Sequence, residues 1–269
     1  MKKIILMTAF SLLMNAGLAC ASTFDDAKEA YRRGDYKQGI SILNQLATQG
    51  NPDAQEALGQ IYQRGQGVKV DFSKSEKWYR LAAGQGNVRA QQSIGWMYTF
   101  GIGVRKDVAE GIKWSRLAAT QGNAKAQYVL ATIYSDSSSD AHDAAEAVKW
   151  YRLAAAQGDV ASQVELGDMY SQGKSVLQDY AEALKWYRAA AAQGNAPAQV
   201  FLGYMYGLGR GTARDLVRAH MWANLAAATG SRPGIELRDE LAKTMSSQQV
   251  ASAQKMSRDC QARKFKNCD

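Results

Sequence analysis

Five times along this 269-residue chain the same dipeptide returns at the same interval. Gln49-Gly50, Gln85-Gly86, Gln121-Gly122, Gln157-Gly158 and Gln193-Gly194 are each 36 residues apart (85−49, 121−85, 157−121, 193−157), and Thr229-Gly230 keeps the step. A fixed period of this length marks a stack of like supersecondary units, each burying its apolar face against its neighbours. Such arrays leave one long surface free, and that surface usually binds something.

Residues 87–122 show what one unit contains. Asn87 follows Gly86 and is placed to cap a helix through its side-chain oxygen. Ala90, Ile94, Met97 and Tyr98 fall at i, i+4, i+7 and i+8, on one helical face. Gly101 and Gly103 interrupt that helix, and Asp107 is the expected N-cap of a second one carrying Ile112, Trp114, Leu117 and Ala118. Gly122 closes the second helix as a left-handed C-cap. Each unit is therefore read as a helix-turn-helix hairpin.

The positions recur as columns: Tyr62, Tyr98, Tyr134, Tyr170 and Tyr206; Trp78, Trp114, Trp150, Trp186 and Trp222; and the capping Asp71, Asp107, Asp143, Asp179 and Asp215. Gly59, Gly95, Gly167 and Gly203 share a mid-helix column completed by Ala131. A glycine there costs about 1 kcal/mol of helix propensity. The expected compensation is close approach of a neighbouring helix, with a tryptophan ring in the vacated space. These columns read as packing positions.

The pattern A-x-x-x-L-G-x-x-Y-x-x-G-x-G-V-x-x-D followed by A-x-x-W-Y-x-x-A-A-x-x-G resembles the SEL-one-like repeat, a subclass of the tetratricopeptide-type hairpins. Residues 90–119 follow it closely. The resemblance implies an all-α fold, a right-handed superhelical solenoid of antiparallel hairpins, in which the first helix of each hairpin lines a concave groove. Five repeats are read over residues 51–230, after a degenerate capping hairpin at 22–50. A C-terminal helical cap is read over 231–269. One loop departs from the pattern: Ser137-Ser138-Ser139-Asp140-Ala141-His142-Asp143 has lost its glycines at unchanged length, and it is expected to be more mobile and to bend the superhelix.

The ends bound the compartment. Met1-Lys2-Lys3, an apolar stretch from Ile4 to Leu18 and Ala19-Cys20-Ala21 form a secretory leader, with cleavage expected after Ala21. The mature chain would then be periplasmic or secreted, and lipidation at Cys20 is the less favoured reading. Cleavage leaves Cys260 and Cys268, which have one possible pairing in an oxidising compartment. It also lowers the formal charge from +8 to +6, since 33−2 basic residues then face 25 acidic ones. Lys77, Lys113, Lys149 and Lys185 form one basic column, with Glu110, Glu146 and Glu182 three residues before the last three lysines and able to pair with them. Arg80, Arg116, Arg152 and Arg188 form another, without such partners in sequence, and make a candidate basic ridge for an anionic partner. Export and the lack of any reading motif argue against nucleic acid. Ser246-Ser247-Gln248-Gln249 reads as a capping box opening a helix that runs to about Cys260.

Chemistry-bearing motifs are fragmentary. The run from Gly167 to Gly173-Lys174-Ser175 is one residue too long for a phosphate loop and follows a helix. Ser171-Gln172-Gly173-Lys174 and Ser252-Ala253-Gln254-Lys255 match S-x-x-K without the accompanying motifs of penicillin-recognising enzymes. His142 and His220 have no converging partners, so no catalytic residue, metal site or cofactor is assigned. Large aromatics instead stand where the repeat pattern does not require them: Trp96, Phe100, Tyr128, Phe201 and Tyr204. Aromatic residues are favoured anchors at interfaces. The expectation is a monomeric, non-enzymatic envelope scaffold that holds a peptide or protein partner around these five side chains. A β-lactamase-like or penicillin-binding enzyme, as in cysteine-rich repeat relatives, is the alternative that the resemblance leaves open.

Overall fold

One residue between each pair of hairpins closes the helix behind it and opens the helix ahead. In this computed structural model, which describes residues 23–138 and 140–268, the Gln-Gly sites are Schellman turns. Gly86, Gly122, Gly158 and Gly194 take positive φ of 88°, 87°, 90° and 81°, a conformation that a Cβ disfavours. The next residue then sends its N–H back five residues, as in Asn87 to the Ala82 carbonyl (3.1 Å) and Asn123 to Ala118 (3.1 Å). The side chain of that same residue caps the following helix: Asn87 Oδ1 accepts from the Ala90 N–H at 3.0 Å and Asn123 Oδ1 from Ala126 at 2.9 Å.

The chain divides into two compact units between Ala90 and Gln91. The first holds α1 (Phe24–Arg32), α2 (Tyr36–Thr48), α3 (Pro52–Arg64) and α4 (Phe72–Gly84). α5 (Val88–Phe100) begins there and continues into the second unit. That unit holds α6 (Val108–Thr120), α7 (Ala124–Ser135), α8 (Ala144–Ala156), α9 (Val160–Gln172), α10 (Tyr180–Ala191), α11 (Ala196–Leu208), α12 (Leu216–Ala228), α13 (Arg232–Thr244) and α14 (Ser247–Ala262). Among the described residues all regular structure is helical, and α1 with α2, α3 with α4, α7 with α8, α9 with α10 and α11 with α12 pack as hairpins. The leader, its cleavage site, Cys20 and Ser139 lie outside the described residues.

Within a hairpin the turn is pinned by two columns. Asp71, Asp107, Asp143, Asp179 and Asp215 cap the second helices through their carboxylates. Their backbone N–H groups donate to the carbonyls of Tyr62, Tyr98, Tyr134, Tyr170 and Tyr206, each at 2.9 Å. The glycine-free loop obeys the same pin, so its register matches the others. It differs in how α7 ends: Asp136 leaves the helix in extended conformation, and its carboxylate takes the Ser138 N–H at 2.9 Å.

Between hairpins runs a glutamine ladder that the repeat pattern did not announce. In the first unit, Gln55 Nε2 donates to the Ala47 carbonyl (3.0 Å), and Gln55 Oε1 accepts from Gln85 Nε2 (2.7 Å). In the second, Gln127 reaches Ala119 (3.1 Å) and accepts from Gln157 (2.7 Å), while Gln163 reaches Ala155 (3.0 Å) and accepts from Gln193 (3.0 Å). Gln55, Gln127 and Gln163 are buried, so each amide must be satisfied internally. The ladder ends at Gln199. Its Nε2 still donates to Ala191 (3.4 Å), but Thr229 replaces the donor glutamine and Gln199 Oε1 is buried with no hydrogen-bond partner among the described residues.

The mid-helix glycines correct one sequence expectation. No tryptophan fills their space; beside Gly59, Gly95 and Gly167 the residue after it does, and beside Gly203 it is Leu237. A Cβ on Gly59 would stand 2.5 Å from the Tyr79 ring, and one on Gly167 would stand 2.5 Å from the Tyr187 ring. Tyr79 and Tyr187 are fully buried. The tryptophans lie nearer the rim, where Trp114 and Trp150 donate Nε1 to Glu110 and Glu146 at 2.8 Å each. Those glutamates also pair with Lys113 (3.3 Å) and Lys149 (2.7 Å).

The repeat also persists further than its sequence suggests. Ser231, one period after Asn195, caps α13, which packs on α12 and α11. Only then does the chain depart: Ser246 and Gln249 form a capping box, and α14 folds back on α12. Ser257 Oγ donates to the Met221 carbonyl at 3.1 Å, and Cys260 is joined to Cys268 with a Cα–Cα distance of 5.1 Å.

Candidate protein-binding face

In the second unit the first helices of the hairpins carry the unexplained aromatics. Trp96 and Phe100 on α5 and Phe201 and Tyr204 on α11 are between 37% and 45% exposed, too much for core side chains of that size. Tyr128 on α7 is half-buried. The rings are ordered in groups. Trp96 and Phe100 pack at 4.3 Å between centroids, Tyr128 lies 6.0 Å from Tyr151, and Phe201 stacks on Tyr187 at 4.9 Å.

Between Tyr128 and Phe201 the same columns turn acidic. Glu165 occupies the column of Phe201, and Asp168 occupies that of Trp96 and Tyr204. Both line a cavity of about 180 Å³, with Ser135, Tyr151, Met169, Gln172, Lys174 and Ser175. The two buried tyrosines join this cavity to its aromatic flanks. The Tyr187 hydroxyl donates to Asp168 Oδ1 at 2.5 Å, and the Tyr151 hydroxyl lies 3.4 Å from Ser135 Oγ. Burial pushes the Asp168 carboxyl up, against the opposing pull of the Tyr187 hydroxyl. Burial and then the neighbouring Asp168 push Glu165 up, with Lys174 drawing it back. Burial also raises the Tyr151 phenol. Ser175 lines the cavity at a φ of 64°, the left-handed conformation that its column gives to Gly67 and Gly211.

In the first unit Glu56, in the column of Tyr128, and Gln60, in the column of Asp168, line a cavity of about 570 Å³ with Phe24, Tyr31, Asp53 and Arg89. Gln60 Nε2 donates to Glu56 at 2.5 Å, and burial pushes Glu56 up. Tyr31, also desolvated, is pushed up to about 12.

The arginine column has acquired partners that lie 18 residues away. Arg116 and Arg152 donate to the hydroxyls of Tyr134 and Tyr170, and Arg188 donates to that of Tyr206 at 2.5 Å. Arg152 and Arg188 also stand over those rings, with 5.8 Å to each centroid. Arg80 pairs with Glu76 at 3.1 Å. In the second unit Arg116, Arg152 and Arg188 thus fasten their second helices to the first helix of the next hairpin.

The remaining motifs do not assemble chemistry. Ser171 Oγ donates to the Asp168 carbonyl (3.1 Å) and contacts the Tyr187 hydroxyl (3.3 Å), while Ser252 is exposed on α14. Gly167 lies inside α9, so its run to Ser175 forms no phosphate-cradling loop. His220 is buried with Nδ1 unpartnered among the described residues, and His142 is exposed in its loop. Among the described residues no cluster of His, Cys, Asp and Glu is arranged to hold a metal ion, and no helix is long and apolar enough to cross a membrane.

Stacked hairpins with these fixed columns define an α-solenoid repeat protein. The Sel1 repeat model matches residues 52–87, 88–123, 124–159, 160–195 and 196–231, and the chain belongs to the Sel1 repeat family. It is similar to a crystal structure of a Sel1 repeat protein from Oxalobacter formigenes: 32% identity over 80% of this chain and 86% of that one, TM-score 0.70. It is also similar to a protective antigen of uropathogenic Escherichia coli strains displaying an SLR fold: 28% identity over 91% of this chain and 63% of that one, TM-score 0.54. The immunity protein PA5088 from Pseudomonas aeruginosa shares the fold at 20% identity over 79% of this chain and 88% of that one, TM-score 0.50. No curated protein sequence matches the chain. Sel1 repeat proteins are generally protein-interaction scaffolds.

Proposed function

We propose that this chain is an exported, non-enzymatic scaffold of the bacterial envelope that holds a peptide or protein partner along the first helices of its second unit. The observation that carries this reading is the half-exposed aromatic series Trp96, Phe100, Phe201 and Tyr204 on a face that repeat packing leaves uncovered. Large rings supply contact area at little entropic cost, which makes them anchors. The leader-like first 21 residues support export, and kinship with a bacterial protective antigen accords with it. The Cys260–Cys268 bridge suits an oxidising compartment.

The test is a paired substitution. Trp96→Ala with Tyr204→Ala should weaken capture of the native envelope partner while far-UV circular dichroism stays unchanged. Undiminished capture by the folded variant would count against this face. Mass spectrometry of the envelope form should find Ser22 at the N-terminus, and purified protein should turn over nitrocefin no faster than buffer.

A further inference from the structure

We propose that the cavity beside Glu165 and Asp168 seats a basic side chain of the partner, so that this face recognises an extended segment carrying an arginine or lysine between apolar residues. The proposal rests on the scaffold reading above and specifies its ligand.

The groups that line the cavity set its chemistry. Asp168, Glu165, the Tyr151 hydroxyl and Ser135 Oγ all offer lone pairs, and Lys174 is the one cation among them. One Asp168 oxygen is taken by Tyr187; Glu165 has no hydrogen-bond or salt-bridge partner among the described residues. A guanidinium carries five N–H donors in a fixed fork and an ammonium three, and neither accepts. Size points the same way. The volume of about 180 Å³ is roughly six waters at about 30 Å³ each. That suits the head of one long side chain and falls short of the roughly 300–1,000 Å³ of small-molecule pockets.

Position supplies the rest. Tyr128 leans on Tyr151 at one edge of the cavity, and Phe201 stacks on Tyr187, whose hydroxyl holds Asp168, at the other. A segment laid across α7, α9 and α11 therefore meets ring, carboxylates and ring in order. Its apolar residues find Tyr128 and Phe201, and its cation finds the half-buried Asp168 and the exposed Glu165 beside it, with rings close by. The charge is locally opposite to that of the chain, whose formal net charge is +8. On the second helices, Lys113, Lys149 and Lys185 form salt bridges with their own glutamates, whereas the carboxylates at α9 have no salt bridge among the described residues. Asp168 is half-buried and has no salt-bridge partner among the described residues; partial burial disfavours its charge, and an entering cation relieves that cost.

The experiment pans a phage-displayed library of random dodecapeptides on the purified mature chain, on E165Q/D168N and on W96A/Y204A, each checked for helicity. Wild type should enrich peptides with a basic residue flanked by apolar ones. The best of these, made synthetically and followed by fluorescence anisotropy, should bind E165Q/D168N about tenfold or more weakly. Replacing its basic residue by citrulline or norleucine should cost wild type as much, and added salt should weaken the complex. Enrichment of peptides lacking a basic residue, or equal affinity for E165Q/D168N, overturns the cation seat; the scaffold reading survives if W96A/Y204A still abolishes binding. No enrichment on wild type beyond that on W96A/Y204A overturns both.

Discussion

The unfinished rung at Gln199 offers a direct measure of what holds the hairpins together. In each complete rung a buried glutamine amide donates to the preceding helix end and accepts from a glutamine 30 residues on. At the last rung that donor is Thr229, whose hydroxyl turns to its own Ala226 carbonyl at 2.7 Å, leaving Gln199 Oε1 unpaired. Thr229→Gln should supply the missing donor. An unsatisfied buried acceptor costs about 1–3 kcal/mol, and ordering the new side chain returns up to ~1.5–2 kcal/mol of that. Thr229 is exposed, so a longer side chain has room, and the Ala226 carbonyl keeps the backbone N–H of Thr229 at 3.1 Å. The expected net gain is about 1 kcal/mol, or a rise in midpoint of about 2–4 °C for a chain of this size. The mirror substitution, Gln157→Thr, should orphan Gln127 Oε1 and cost about 1–3 kcal/mol. Circular dichroism melts and urea titrations read both, and hydrogen exchange of α11 to α13 localises the first. If both variants melt with wild type, water satisfies these acceptors as well as the ladder does and the reasoning fails. A gain for Thr229→Gln that persists in a Gln199→Met background would equally refute it, since the coupling must vanish there.

Other expectations follow from neighbouring features. Arg152→Met keeps the apolar stem but removes the bond to the Tyr170 hydroxyl; a loss of about 1.5–3 kcal/mol is expected by urea denaturation. Gly84→Ala, with nothing within 4 Å of the added carbon, should stabilise by about 0.5–1 kcal/mol, whereas Gly59→Ala drives a Cβ into the Tyr79 ring and should destabilise by about 1–3 kcal/mol. Burial, then the charge of Arg238, depresses buried His220 below 6.5. A depressed pKa means that the folded state binds fewer protons, so this stability is complete above 6.5 and is lost as pH falls. The midpoint should therefore drop between pH 7.5 and 5, and His220→Gln should flatten that drop. Glu165 is raised, the reverse sign. Its penalty grows as pH rises through its folded pKa, so Glu165→Gln should melt higher than wild type near neutral pH while binding peptide less well.

What could be read from the sequence was local chemistry. The period, the aspartate caps, the left-handed glycines and the Ser246 capping box depend on residues within a few positions of one another. The Arg152–Tyr170 fastening spans 18 residues and the Gln127–Gln157 rung spans 30. No pattern of apolar spacing detects a polar pair of that reach, although Gln55, Gln91, Gln127, Gln163 and Gln199 recur every 36 residues in plain view. The tryptophan column and the column after it are adjacent in sequence, and only helix phase decides which side chain lies beside Gly59 and Gly167: Tyr79 and Tyr187. The aromatic series was visible as departures from the repeat. Glu165 and Asp168 were not singled out, because an acidic residue on an outer helical face is ordinary until a cavity and two tyrosines close around it.

The double duty of Asn87 and Asn123 bears on how such a chain can lengthen. Because a single junction residue terminates one hairpin and starts the next, any 36-residue segment copied in tandem arrives with both of its seams already chemically complete. Growth by duplication then needs no new linker, and only the outermost copies must adapt. An insertion of even one residue at a seam would separate the two roles, which makes whole-cassette duplication the permitted change of length and explains why the spacing is kept while the outward-facing side chains diverge.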